Sequence, residues 1–203
     1  MRRFVYAVVA AMAMFPALAS AQVSVGLRLL YGIPMGDAVK DQKMSEGISG
    51  QVPLQLDVEY KVTPQLGVGV YGSYAFGMLA SQAKDNFDSA SAYALGIQAS
   101  YELPKLKAIT PWVGLGTGYE WATASFKSSA GGGSLKYSGW EFARLEVGAD
   151  YEVAKNFSTG LFVGYSLGQF SNASFQGQSA SVPSSDKTLH EWFTFGIRGK
   201  YDI

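Results

Sequence analysis

The sequence predicts an all-β fold, an eight-stranded antiparallel up-and-down transmembrane β-barrel, and three observations carry that prediction. Apolar and polar residues alternate with strict period 2 over long stretches, as in Leu54, Leu56 and Val58 against Gln55, Asp57 and Glu59. That is the pattern of a strand with two different faces. One ending recurs four times: Glu59-Tyr60-Lys61-Val62, Ser100-Tyr101-Glu102-Leu103, Asp150-Tyr151-Glu152-Val153 and Lys200-Tyr201-Asp202-Ile203. Its tyrosines lie roughly 40 to 50 residues apart, room for two strands and a loop. The connectors, finally, alternate between long and short, so four hairpins follow one another.

In chain order, the first predicted strand runs from Val23 to Tyr31, with Val23, Val25, Leu27, Leu29 and Tyr31 on one face and Ser24, Gly26 and Arg28 on the other. A polar loop, Pro34 to Gly50, leads to the second strand, Gln51 to Val62, and Thr63-Pro64-Gln65 is a tight turn of the proline-bearing kind. The third strand, Leu66 to Gly77, is followed by the loop Met78 to Ala90. The fourth, Ser91 to Leu103, turns back at Pro104 to Ala108. The fifth, Ile109 to Ala124, sets Val113, Leu115, Tyr119 and Trp121 against Gly114, Gly116, Gly118 and Glu120, before the loop Ser125 to Ser138 with its Gly131-Gly132-Gly133 tip. The sixth, Gly139 to Val153, sets Ala143, Leu145, Val147, Ala149 and Tyr151 against Arg144, Glu146, Asp150 and Glu152, and Ala154-Lys155-Asn156 turns. The seventh is Phe157 to Gln169. After the loop Phe170 to Thr188 the eighth carries Phe193, Phe195, Ile197, Tyr201 and Ile203 on its apolar face.

Ahead of these strands, Arg2 and Arg3, the apolar run Val5 to Leu18 and the small-residue site Ala19-Ser20-Ala21 read as a secretory signal peptide over residues 1–21, which leaves a barrel domain over residues 22–203. The apolar run is shorter than the ~20 residues a spanning helix needs. No later window approaches that length, so a membrane would be crossed by strands. There are no cysteines, which excludes disulfides and thiolate metal sites. The balance of 16 basic and 16 acidic residues leaves no footprint for nucleic acid.

Lipid is the predicted neighbour of the apolar face. Outward aromatics sort by depth, with Tyr60, Tyr101, Tyr151, Phe157 and Tyr201 at the turn end and Tyr31, Tyr74, Phe76, Tyr93, Tyr119, Trp121, Tyr165 and Phe193 toward the loop end. Two such girdles suit a bilayer, whose interfaces hold amphipathic rings. Long loops on one side and short turns on the other match a bacterial outer-membrane barrel.

On this strand pattern, the loop asymmetry and the closing Tyr201-Asp202-Ile203, the chain from about Gln22 to Ile203 resembles the small eight-stranded outer-membrane barrels: the OmpA transmembrane domain, the OmpX and Ail group and the opacity-type, porin-family proteins. The resemblance implies outer-membrane lipid, lipopolysaccharide and the barrel assembly machinery as partners, with Tyr201 and Ile203 as the assembly signal. Such barrels usually end in an aromatic residue; here Ile203 stands last.

The inward face carries the unusual chemistry. Arg28, Arg144 and Arg198 project with Asp57, Glu59, Glu120, Glu146 and Asp150 into a lumen that eight strands leave only wide enough for side chains. Bare charges there are costly, so they should pair. Arg28 and Arg198 are neighbours across the closure and need carboxylates between them; Asp57 and Glu59, or Glu120 and Glu146 from across the lumen, are the candidates. The expected function is structural, with surface interactions through the long extracellular loops, a filled lumen and no cofactor, metal or catalytic residue. A narrow porin-like channel for small solutes is the first alternative and a lipid A modifying enzyme the second.

Other signals are weaker. Gly67, Gly69 and Gly72 form a G-x-G-x-x-G inside a strand, with no helix behind it to hold a phosphate. His190 is the only histidine, and on the assigned phase it points inward. Some eight-stranded barrels modify lipid A with a His-x-Ser arrangement, but here the sequence reads His190-Glu191-Trp192; Ser184, Asp186 and His190 form a grouping in a serine-rich loop. Loop charges such as Lys40, Asp41, Lys43, Glu46, Lys84, Asp85, Asp88, Lys127 and Lys136 are mixed in sign and single out no extracellular ligand.

Overall fold

The computed structural model describes residues 23–127 and 132–203. The proposed signal peptide lies outside the described residues, as do Gln22 and Gly131. In chain order the elements are β1 (Val23–Val39), β2 (Gln42–Lys43), α1 (Met44–Gly47), β3 (Ile48–Lys61), β4 (Leu66–Leu79), β5 (Phe87–Glu102), β6 (Ile109–Phe126), β7 (Gly133–Ala154), β8 (Phe157–Phe175), β9 (Gln178–Ser181) and β10 (His190–Asp202). Eight of these form the wall: β1, β3 to β8 and β10. Each pairs antiparallel with the next, and β10 pairs with both β8 and β1, so the sheet closes. Closure leaves the wall without an edge strand, the condition for strands to cross lipid.

The outward face is a band of apolar side chains. Leu27, Leu56, Ile97, Leu115, Val147 and Leu161 are all more than half exposed, an apolar surface far larger than a protein in water tolerates. Above and below it lie the aromatic girdles. Tyr74 packs edge-on against Tyr93 at 4.8 Å, and Tyr93 pairs in register with Trp121. At the turn end Tyr201 faces Phe157. The turns close locally: the Thr63 hydroxyl accepts from the Leu66 amide at 3.0 Å, and Asn156 takes a left-handed φ of 68°, which asparagine tolerates.

Two sequence expectations are corrected. The four long polar loops are shorter than predicted, because strands run on into them: β1 to Val39, β4 to Leu79, β7 from Gly133 and β8 to Phe175. Beyond the lipid boundary both strand faces meet water, so the ladder continues after the apolar alternation has stopped. The second correction is to the sixth predicted strand. A β-bulge between Glu141 and Ala143 shifts its register. Below the bulge the predicted phase holds, with Leu145 and Val147 outward; above it Trp140 and Phe142 are outward and half exposed, while Glu141 is buried.

Candidate functional site in the barrel lumen

The lumen is packed with charge. At the closing seam Arg28 of β1 lies directly opposite Arg198 of β10, a like-charged pair that the fold resolves by sending each guanidinium to different carboxylates. Arg28 donates through Nε to Asp57 at 2.5 Å and through a terminal nitrogen to Glu146 at 2.6 Å. Arg198 instead donates through Nε to Asp150 at 2.8 Å and also bonds its second oxygen. Both arginines and all three carboxylates are buried. Charge-assisted bonds of this kind are the strong ones, and burial makes the pairing obligatory.

Arg144 completes the cluster by a route that no single strand's pattern displays. It donates to Glu141 at 3.0 Å and to the Gln55 carbonyl at 2.6 Å, while the Gln55 amide donates to Asp57 at 2.7 Å. The Tyr71 hydroxyl donates to the other Glu141 oxygen at 2.5 Å. A single chain of bonds therefore runs Tyr71, Glu141, Arg144, Gln55, Asp57, Arg28, Glu146 across the barrel. Aromatic faces cover the guanidiniums: Arg198 lies 3.6 Å from the Trp112 ring centre and Arg144 lies 4.2 Å from that of Tyr71. Trp112, Phe162 and Leu30 form a buried apolar layer beside them, and the Trp112 indole donates to Asp150 at 3.2 Å.

Two of the predicted members stand apart. Glu59 accepts from Gln98 at 2.6 Å and Ser100 at 2.8 Å, with no arginine among the described residues bonded to it. Glu120 is held by His190, whose buried ring also stacks on Phe170 at 4.2 Å. Glu141 and Gln55 are the members that sequence reasoning missed. The bulge hides Glu141, though the switch of the apolar phase at Trp140 and Phe142 marks it. The terminal Tyr201 and Ile203 both face outward and are exposed. Asp186 accepts from Ser185 at 2.9 Å, so His190 and Asp186 keep separate partners.

Glycine makes the space. Asp57 pairs in register with Gly26, Glu59 with Gly69, Glu120 with Gly139, Glu141 with Gly118 and Gly168, Glu146 with Gly114 and Gly164, and Asp150 with Gly160. A Cβ on Gly160 would overlap an Asp150 oxygen, and one on Gly118 would overlap the Tyr71 hydroxyl. Each acid of the cluster thus lies over a strand position with no side chain. Gly67 and Gly69 of the β4 G-x-G-x-x-G belong to the same scheme, since a Cβ on Gly67 would meet Glu59 at 3.0 Å, whereas Gly72 lies on the outward face beside Leu95.

These features define a side-chain-filled, eight-stranded membrane barrel. Residues 6–183 match the family model described as the outer membrane protein beta-barrel domain, and the chain belongs to that family of bacterial outer-membrane proteins. Among solved structures it is similar to a major outer membrane protein from Thermus thermophilus, with 14% identity, a TM-score of 0.57 and coverage of 91% of this chain and 100% of that one. It is also similar to OprG of Pseudomonas aeruginosa (14%, TM-score 0.56, 91% and 96% covered) and to AlkL determined in lipid bilayers (14%, TM-score 0.54, 93% and 95% covered). At such identities the likeness is one of fold. No curated protein matches the sequence.

Proposed function

We propose that this outer-membrane barrel is a non-conducting, non-enzymatic structural protein of the envelope that presents its outer hairpins to extracellular partners. The observation that carries the proposal is the unbroken chain from Tyr71 through Arg144 and Gln55 to Arg28 and Glu146, which spans the lumen. Within the seam-side layer around Arg28, Asp57 and Arg198 a cavity of only about 10 Å³ is left, at or below the ~10–15 Å³ that one water needs. Lipopolysaccharide and lipid contact the outward band. The barrel assembly machinery reads Tyr201 and Ile203, which are both exposed on the outward face.

A solute channel is the second reading, favoured by open cavities at both ends: about 400 Å³ at the outer mouth and about 560 Å³ at the turn end. Planar-bilayer recording separates the two. The wild type should show no steady openings, and Arg28→Ala should leak. Reproducible wild-type openings whose ion selectivity changes in Glu146→Gln would establish the channel instead.

A further inference from the structure

Above the ionic layer the barrel is hollow. The outer mouth holds a cavity of about 400 Å³, within the range of small-molecule sites. Its wall is mostly apolar, with Ile48 and Leu135 from the strands, Ala83 and Phe87 at the β4–β5 connection, and Tyr137 and Phe170 from β7 and β8, while Gln82, Asn86 and Thr123 add polar groups. The short helix α1 closes one side, and its single buried residue, Met44, turns into the cavity and packs with Phe170 and Trp192. Charged residues at this cavity, Lys43 and Glu46, are of opposite sign and exposed, so no net charge converges on an occupant.

Aromatic rings narrow the floor. Phe170 is buried and stacked between Tyr137 and the His190 ring, which is fixed in turn by Glu120. Below it a smaller space of about 70 Å³, which shares Met44, Ile48, Ala122 and Phe170 with the vestibule, reaches Gln55, Glu120 and Arg144. We propose that this vestibule is a binding site for an uncharged, predominantly aliphatic small molecule, held by the body of the barrel. A concave apolar pocket with few polar groups takes such ligands, and methionine supplies an adaptable wall. A macromolecular partner would need a broad surface, not a pocket of this size. An anion or cation would lose hydration in exchange for a few scattered polar groups and no converging charge of one sign. The inference does not rest on the plug being impermeable, because the lining lies above the arginines.

The described residues contain their own reporters. Met44 is buried in the vestibule, whereas Met78 lies on the outward face and is 37% exposed. The barrel is refolded into phosphatidylcholine nanodiscs with ¹³C-methyl methionine and titrated with 1-decanol, with decanoate as the charged comparison. Binding predicts a saturable shift at Met44 and only a small, proportional drift at Met78, which reports partition into the bilayer. Decanoate should bind no more tightly than decanol. Ala83→Trp and Ala124→Trp, which fill the cavity from two sides, should each weaken decanol at least tenfold. Two fillers are used so that one which fails to fold still leaves the other, and heat-modified mobility on gels identifies the folded protein. Met44 and Met78 moving in constant ratio without saturation would overturn the site. So would undiminished binding in a folded filler, and a tenfold preference for decanoate would overturn the uncharged class.

Discussion

The two halves of the lumen are built by opposite rules. In the lower half glycines alternate with long charged side chains, and each carboxylate lies over a position without a Cβ, so the interior is filled. In the upper half the inward positions of β6 are Ala122 and Ala124, and no charged side chain reaches across. Small residues there leave space, because the side chains opposite them on β7, Tyr137 and Leu135, border the cavity without filling it. The difference shows that glycine and alanine have no fixed meaning on an inward face; what the neighbouring strand carries decides between a plug and a pocket.

Removing a hub of the plug should have the largest effect. Arg28→Ala strands both Asp57 and Glu146 in a buried layer, at a cost of about 3–5 kcal/mol for breaking a buried pair. A urea titration of the refolded barrel reads it, and an unchanged midpoint would mean that water already screens those acids. Next is the outward face, which bounds both halves. Val147 is 52% exposed to the apolar band, and Val147→Arg should destabilise by about 2–4 kcal/mol if it sits near mid-membrane. A neutral result would displace the membrane midplane away from Val147.

Most of the fold is legible in the sequence because lipid enforces a strict rule. Every outward position between the girdles must be apolar, so period 2 persists from Val23 to Tyr31 and from Leu145 to Tyr151. The rule lapses in two places. Beyond the upper girdle both faces meet water, so the strand extensions of β1, β4 and β8 carry no alternation and read as loops. At the bulge in β7 one extra residue inverts the phase, which conceals Glu141 between Trp140 and Phe142. Arg28, Arg144 and Arg198 stand out as inward charges, but their partners depend on register across strands, which a single strand's pattern does not contain. Gln55 escapes notice because an uncharged inward residue looks like filler. The glycine opposite each acid is the signal that register makes readable.

The plug and vestibule can be compared by adding one or two carbons to each. Gly160 lies between Arg198 and Asp150, and a Cβ there would overlap both the Ala149 carbonyl oxygen and an Asp150 oxygen. Gly160→Ala must therefore move backbone or break the Arg198 pair. Overpacking of this kind costs about 1–3 kcal/mol. A Gly160→Ala barrel as stable as its parent would show that the wall yields more easily than this packing implies.

The matched change in the vestibule should do almost nothing. Ala124 pairs in register with Ala90 on one side and Leu135 on the other, and its side chain borders the 400 Å³ cavity. Ala124→Val adds volume where there is space for it, and a β-branched residue suits a strand. The gain from burying the added carbons is small, since the cavity opens to water, so the net change should stay within about 0.5 kcal/mol. The same urea titration serves, with Gly160→Ala as the internal standard. A loss at Ala124→Val as large as that at Gly160→Ala would mean that the upper lumen is as tightly filled as the lower. The contrast between plug and pocket would then fail, and the vestibule would have no room for a ligand.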